Sequence, residues 1–410
     1  MAQTLSNFDN AMKDNYGPGL RNAVNDRTAV WSQLDNNKES IEGRQAVWAV
    51  HTARSTSTGS RGDGGTLPTA GSQGYSQVRD NLATIYHTVK VTGASQLLSM
   101  GKDGAFVNAL EANLRGAEKD VSNEAARQSY NTAVSISSTL YLGAITGTAS
   151  SNYSSQVYTF ANANKGLMRH FFVGMVVDQI SSAAAVRGTT TITAIDQAAQ
   201  TVTVADATSG ATTGDYLART GNFAAAATWG FEMNGLNYLL GSQAYANLDP
   251  ATQPLWQAQT AGSSTTQVSE TLFDLAADKV QTDGDGGDID VWISEQDNAR
   301  KLAQQLQAQK RYDGREATLK GGWKGVQIQR GTLIADKYCP SNKIYGLNTE
   351  EISRFTAPEA DFQWDDTGGS VLYKALDNTH AVEARFFTFT NLETLTRNSH
   401  ILVTTSVPTF

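Results

Sequence analysis

The alternation of apolar and polar positions is sharpest in two stretches near the front of the chain. Gln45-Ala46-Val47-Trp48-Ala49-Val50-His51-Thr52 is the first, and Leu82-Ala83-Thr84-Ile85-Tyr86-His87-Thr88-Val89-Lys90-Val91 is the second. Between them lies a polar tip, Ser55-Thr56-Ser57-Thr58-Gly59-Ser60-Arg61-Gly62-Asp63-Gly64-Gly65. Period-2 arms around a turn-rich middle predict a long β-hairpin over residues 44–92. A lone two-stranded hairpin is marginal in water. Val47, Trp48, Val50, Ile85, Tyr86 and Val89 therefore need cover, either from their own domain or from another copy of the chain.

The period then changes. Phe106, Leu110, Leu114, Ala117, Val121 and Ala125 recur at steps of four and three. They predict a helix capped at Asp103 with one narrow apolar stripe, the mark of a helix lying across a sheet. Carried to Leu140 it would run ~50 Å at 1.5 Å per residue. Residues 150–164 read as loop. Thr189–Asp196, Gln200–Ala205 and Asp215–Arg219 alternate again and predict a small β insertion. Helices are expected at Gly235–Leu240, at Gln267–Val280 and from Glu295 or Asn298 to Arg311, with a buried strand at Ile289–Ile293. This strand–helix alternation marks an α/β subdomain. From Gly322 onward the pattern is mostly strand, ending in Ala381–Phe389 and His400–Thr405, a sheet for the Phe106–Val121 stripe to cover. Ahead of the hairpin, residues 1–43 are polar with sparse apolar positions. Val30, Trp31 and Leu34 in this thin arm need a surface to lie on.

Composition narrows the function classes. A chain of 410 residues exceeds one usual core, so two or three subdomains are expected. Net charge is −8, which argues against a generic nucleic-acid binder, and only 18% of residues are charged. That leaves a surface with little self-repulsion, suited to assembly. The single cysteine, Cys339, excludes an intrachain disulfide framework. Met1–Asn7 has no basic n-region, and no apolar run approaches a membrane span, so neither a signal peptide nor a membrane anchor is expected.

Candidate chemistry is thin. The sequence has no G-x-S-x-G, H-E-x-x-H, P-loop or post-strand GxGxxG. His51 and His87 fall on the two expected hairpin arms, where cross-strand packing or a metal pair are the alternatives. Asp283-Asp285-Asp288 lacks the terminal glutamate of a calcium loop. Arg300, Lys301, Lys310, Arg311, Arg315, Lys320, Lys324 and Arg330 form a basic stretch. It reads either as a solvated helix face and loop or as a positive surface for nucleic acid or an acidic subunit edge. No catalytic residue, cofactor or metal ligand is expected.

The order of elements is arm, long hairpin, spine helix, α/β subdomain with β insertion, and closing sheet. It resembles the major capsid proteins of tailed bacteriophages with the HK97 fold. The Gln45–Val91 hairpin running into the Phe106–Val121 helix carries the likeness. The run Tyr338-Cys339-Pro340-Ser341-Asn342-Lys343-Ile344-Tyr345-Gly346-Leu347 looks like the turn from axial to peripheral domain.

The resemblance implies an α+β fold. It has an N-terminal arm (1–43), an extended E-loop (44–92) and a peripheral (P) domain with the spine helix (93–150). An axial (A) domain (151–345) follows, with its β insertion around 185–220, and P-domain return strands (346–410) close the chain. It implies a non-enzymatic shell protein, assembled in the host bacterial cytoplasm through hexamers and pentamers into the icosahedral head that encloses double-stranded DNA. Its partners would be other copies of itself, a portal protein at one vertex, a separate scaffolding protein, a decoration or minor capsid protein, and packaged DNA by non-specific contact; no membrane is involved. Trp31, Trp48 and Tyr86, with Arg54, Arg61 and Arg79, are the expected inter-subunit contacts. Some family members cross-link an E-loop lysine to a neighbour's asparagine. Arg44–Val89 contains no lysine, so a shell held by non-covalent contacts is expected. The arm begins within the first residues, so a separate scaffold or prior cleavage is expected, and Met1 favours the former. The alternatives are an encapsulin-type compartment, which usually lacks so long an arm, a β-rich enzyme and a surface adhesion module.

Overall fold

The computed structural model describes residues 29–37, 41–42, 45–99, 109–130, 143–149, 156–160, 167–181, 185–205, 212–222, 231–284, 287–308, 316–318, 324–328, 330–358, 360–366, 373–374 and 380–406. The organising strand is Ala381–Thr394. It pairs antiparallel with Ala83–Thr92 over ten residues, from Ala381 opposite Thr92 to Thr390 opposite Ala83. Ile352–Thr356, Gln363–Trp364 and Tyr373–Lys374 also join it, and Asp35–Asn37 adds a parallel edge, making a six-stranded sheet. The long helix, Ala109–Gln128, lies across one face. Ala117, Val121 and Ala125 are buried there against Ile85, Val89, Ala384 and Phe386, with Leu114 beside them. The expected stripe is therefore the packing stripe. Its alanines let the helix come close to the sheet, while Val121 fills the space between strands. Asp103, Phe106 and residues 131–142 lie outside the described residues. The described helix is about 30 Å long at 1.5 Å per residue.

The hairpin exists, but its second arm differs from the expected one. Gln45–Ala53 pairs with Gly74–Asn81, not with Leu82–Val91. A short third strand, Ile41–Glu42, adds to its edge. The segment Gly74–Asn81 presents little alternation because only Val78 and Asp80 turn inward to burial. The strong alternation of Leu82–Val91 comes from the long helix on one face and a distant partner strand beside it. His51 therefore stands opposite Tyr75, and His87 opposite Phe386, so the two histidines are not a pair.

The β insertion is larger than the expected 185–220 module. Gly143–Ala149, Gln156–Phe160, Val176–Ile180, Val186–Asp196, Thr201–Val204 and Tyr216–Arg219 close into a six-stranded barrel. Part of the 150–164 stretch read as loop is thus a strand. Its inward positions are Gln156, Tyr158 and Phe160, and a polar first member blurs the apolar alternation. Gln156 Oε1 accepts from the Tyr158 hydroxyl within the barrel at 2.9 Å, which satisfies that polarity.

The α/β subdomain is a seven-stranded mixed sheet. Its order is Gln259–Gly262, Ile401–Thr404, Lys343–Leu347, Val291–Ser294, Thr332–Ala335, Lys324–Gln327 and Glu316–Thr318. The helices Glu270–Asp283 and Gln296–Ala308 cover it through Phe273, Ala276, Val280, Leu302 and Leu306, which meet Trp292, Ile344 and Ile401. Ser269 caps the first helix by accepting from the Leu272 N–H at 3.2 Å. The last strand, Ile401–Thr404, sits here and not beside Ala381–Thr394. The expected boundary at 345/346 accordingly falls inside the strand Lys343–Leu347. Between the two sheets the chain turns at Arg397–Ser399, a fully buried corner that residue type alone does not announce.

Candidate assembly surface

The hairpin has a buried root and an exposed tip. Beyond Ala53 and before Gly74 no residue is buried: Leu67 is 80% exposed, and Tyr75 just below the tip is 69% exposed. Gly64, at φ +72°, sits in the tight turn closed by the Gly65 N–H donating to Gly62 O at 3.0 Å. Arg61 donates to Thr66 O and Ser60 O, both at 3.0 Å, and so shapes the tip. Arg79 donates to Gln77 Oε1 at 2.8 Å along the exposed edge of its strand. Arg54 stands at the base of the tip beside His51, Gln73 and Tyr75. The three arginines therefore lie on one projecting element with charged groups turned to solvent.

At the root, Asp80 is buried in a polar socket. Its Oδ2 accepts from Asn234 Nδ2 at 2.8 Å and from the Tyr245 hydroxyl at 3.0 Å, and its Oδ1 accepts from the Asn81 N–H at 2.8 Å. Asn391 Nδ2 donates to Asn81 O at 2.7 Å, and the Asn391 side-chain oxygen accepts from the Asn234 N–H at 2.8 Å. Val78 and Trp48 complete the seat, with the Trp48 ring 6.4 Å from that of Tyr245. Burial pushes the Asp80 carboxyl up to about 7, against the opposing hydrogen bonds from Tyr245, Asn234 and Asn81.

The second exposed feature is the face of the six-stranded sheet opposite the long helix. Tyr86, 61% exposed, stands beside Phe387 and Phe389, with ring centroids 6.3 and 5.7 Å away, and the two phenylalanines are 5.1 Å apart. The three rings line a cleft of about 640 Å³ that also carries Asp365 and Arg385. Aromatic surface left open beside a carboxylate and a guanidinium is the composition of a protein–protein contact.

Of the expected contact residues, Arg54, Arg61, Arg79 and Tyr86 stand at these exposed features. Trp31 does not. Its indole N–H donates to Ser129 Oγ at 2.7 Å, its ring meets Phe362 edge-on at 5.3 Å, and the Arg354 guanidinium lies 4.6 Å over it. It pins the arm's short helix, Ala29–Gln33, to its own chain. Trp48 likewise packs inward at the hairpin root. Sequence reasoning missed Asp80, Asn234 and Asn391, whose polar side chains read as surface, and Phe387 and Phe389, which read as core. Adjacent aromatic residues in one strand, as at Phe386-Phe387, were the available signal that both faces bear rings.

The basic stretch is partly neutralised locally. Arg300 pairs with Asp297, and Arg330 with Asp278 at 2.9 Å. Lys310, Arg311, Arg315 and Lys320, with Asp285 of the acidic turn, lie outside the described residues.

No family model matches this chain, and no curated protein matches it in sequence. Solved structures do. The capsid asymmetric unit of cyanophage A-1(L) matches with a TM-score of 0.57 at 12% identity, covering 97% of each chain. The SrpI encapsulin complex of Synechococcus elongatus matches with a TM-score of 0.50 at 8% identity, covering 100% of this chain and 98% of that one. The chain has the HK97-type α+β capsid fold along essentially its whole length.

Proposed function

We propose that this protein is a major capsid protein that self-assembles through hexamers and pentamers into the icosahedral head of a tailed phage around double-stranded DNA. The observation that carries the reading is a projecting hairpin with a basic, exposed tip on a chain whose full length has a capsid fold. In this reading the hairpin is the E-loop. The six-stranded sheet with its long helix is the peripheral domain, and the seven-stranded sheet with the barrel is the axial domain. Residues 1–43 are the arm. The hairpin of one copy lies on the neighbouring copy, and the Tyr86–Phe387–Phe389 face is an inter-subunit surface. The role is structural and non-enzymatic. Portal, separate scaffolding protein, decoration protein and packaged DNA are the further partners, and the virion is its location. The shell is held by non-covalent contacts, since Arg44–Val89 offers no lysine.

Replacing residues 54–73 by a two-residue Asn-Gly turn tests this reading. Ala53 and Gly74 are register partners, so the shortened hairpin can close. The expected product is a folded, soluble protein that forms no closed shells. Normal shell yield would remove the hairpin's role in assembly. The encapsulin alternative shares the fold and separates from the capsid reading by content: copurified cargo protein in place of DNA.

A further inference from the structure

The root of the hairpin holds a feature that shell-building does not require. Asp80 is 8% exposed, sits at the junction between the hairpin and the strand Ala83–Thr92, and accepts three hydrogen bonds from neutral donors. Among the described residues no cation pairs with it. Buried carboxylates are ordinarily matched by a cation, because an unpaired buried charge is costly. The charged and titratable groups around the socket are few. Arg397 lies over the Tyr245 ring, 5.7 Å from its centroid, but turns its N–H groups to backbone carbonyls. Glu393, held by Ser353 and Asn37, adds negative potential. Tyr238 and Tyr245 stay protonated because burial pushes both upward.

The donors come from two different parts of the fold. Asn234 and Tyr245 belong to the body, whereas Asp80 and Asn81 belong to the hairpin. The carboxyl is thus the joint between a projecting element and the domain it projects from. We propose that Asp80 is a proton-operated latch: in its neutral form it seats the hairpin root in the body, and in its ionised form it loosens that seat.

The direction follows from where the proton is held. Docked, the carboxyl keeps its proton up to about pH 7, whereas in water it loses it near 3.8. Docking therefore takes up a proton between those values. The docked state is favoured at acid pH, and that advantage is lost as pH rises through 7. From pH 6 to pH 9 the docking constant falls roughly tenfold.

Hydrogen–deuterium exchange on the unassembled full-length chain tests the latch, with rates corrected for the intrinsic pH dependence of amide exchange. The segments to follow are 76–82 and 233–248. In the wild type their protection is expected to fall roughly tenfold between pH 6 and pH 9. In Asp80→Asn the fall is expected to vanish. Tyr245→Phe keeps the carboxyl but removes one donor to its ionised form, so the fall should persist with its midpoint at higher pH. That variant carries the test should Asp80→Asn not fold. Wild-type protection flat across this range, a fall unchanged in Asp80→Asn, or an unmoved midpoint in Tyr245→Phe overturns the proposal. None of these readings depends on whether shells form.

Discussion

Two buried side chains do more for this chain than their types announce. Arg397 has no exposed surface, and its five donor contacts all go to main-chain carbonyls: Leu239, Gln243, Trp256, Tyr238 and Gly241. It stitches an irregular 238–256 segment to the corner between the two sheets. Burial lowers its pKa to about 10, so it remains a cation at neutral pH. Arg397→Met strands those carbonyls in the interior. Urea denaturation should show a loss of about 3 kcal/mol or more. His400 is the second. Its Nδ1 accepts from the Asn348 N–H at 3.1 Å, and its Nε2 lies 2.9 Å from Thr394 Oγ1, so the ring is neutral. Burial pushes it down to about 3. Below its ordinary 6.5 the unfolded chain takes a proton that the native ring refuses, so this residue makes stability fall as pH drops from 6.5 toward 3. The decline is about 1.4 kcal/mol per pH unit. In His400→Gln, denaturation midpoints measured from pH 7 to pH 4 should show a shallower acid decline than the wild type.

At the scale of elements, what could be read in the sequence was whatever had a clean period. The Leu114–Ala125 stripe and the helix over 270–283 declare themselves because one face of each is buried, and the strand Lys343–Leu347 because it is a short apolar run buried on both faces. Strand partners did not declare themselves. Alternation says that a strand has a covered face, not which strand lies beside it, so Ala83–Thr92 was assigned to the nearest alternating neighbour. Its true partner is almost three hundred residues away. The Asp80 socket was illegible for a related reason. Asp80, Asn234 and Asn391 are ordinary surface types, and only the fold brings them together. Close packing in the seven-stranded sheet offers a direct check. A Cβ on Gly346 would stand 2.6 Å from Ile401 Cγ2 and 2.7 Å from Trp292 Cζ3. Gly346→Ala should cost about 1–3 kcal/mol in the same denaturation assay, with no change in assembly once folded.

For the whole molecule, the two exposed features imply a division of labour. The body is held by its own cores, and under the proposed capsid reading the hairpin tip and the aromatic face of the six-stranded sheet are left for other copies. Tyr86→Asp separates the two roles. Since the side chain is largely exposed, monomer stability should shift by no more than about 0.5 kcal/mol, while assembly yield drops sharply. The central claim, that the chain builds shells, is tested most directly by negative-stain microscopy with light scattering on the purified protein, with and without a candidate scaffolding partner. Closed particles or capsomer-sized rings are the expected result. A monodisperse monomer at high concentration under both conditions would contradict it.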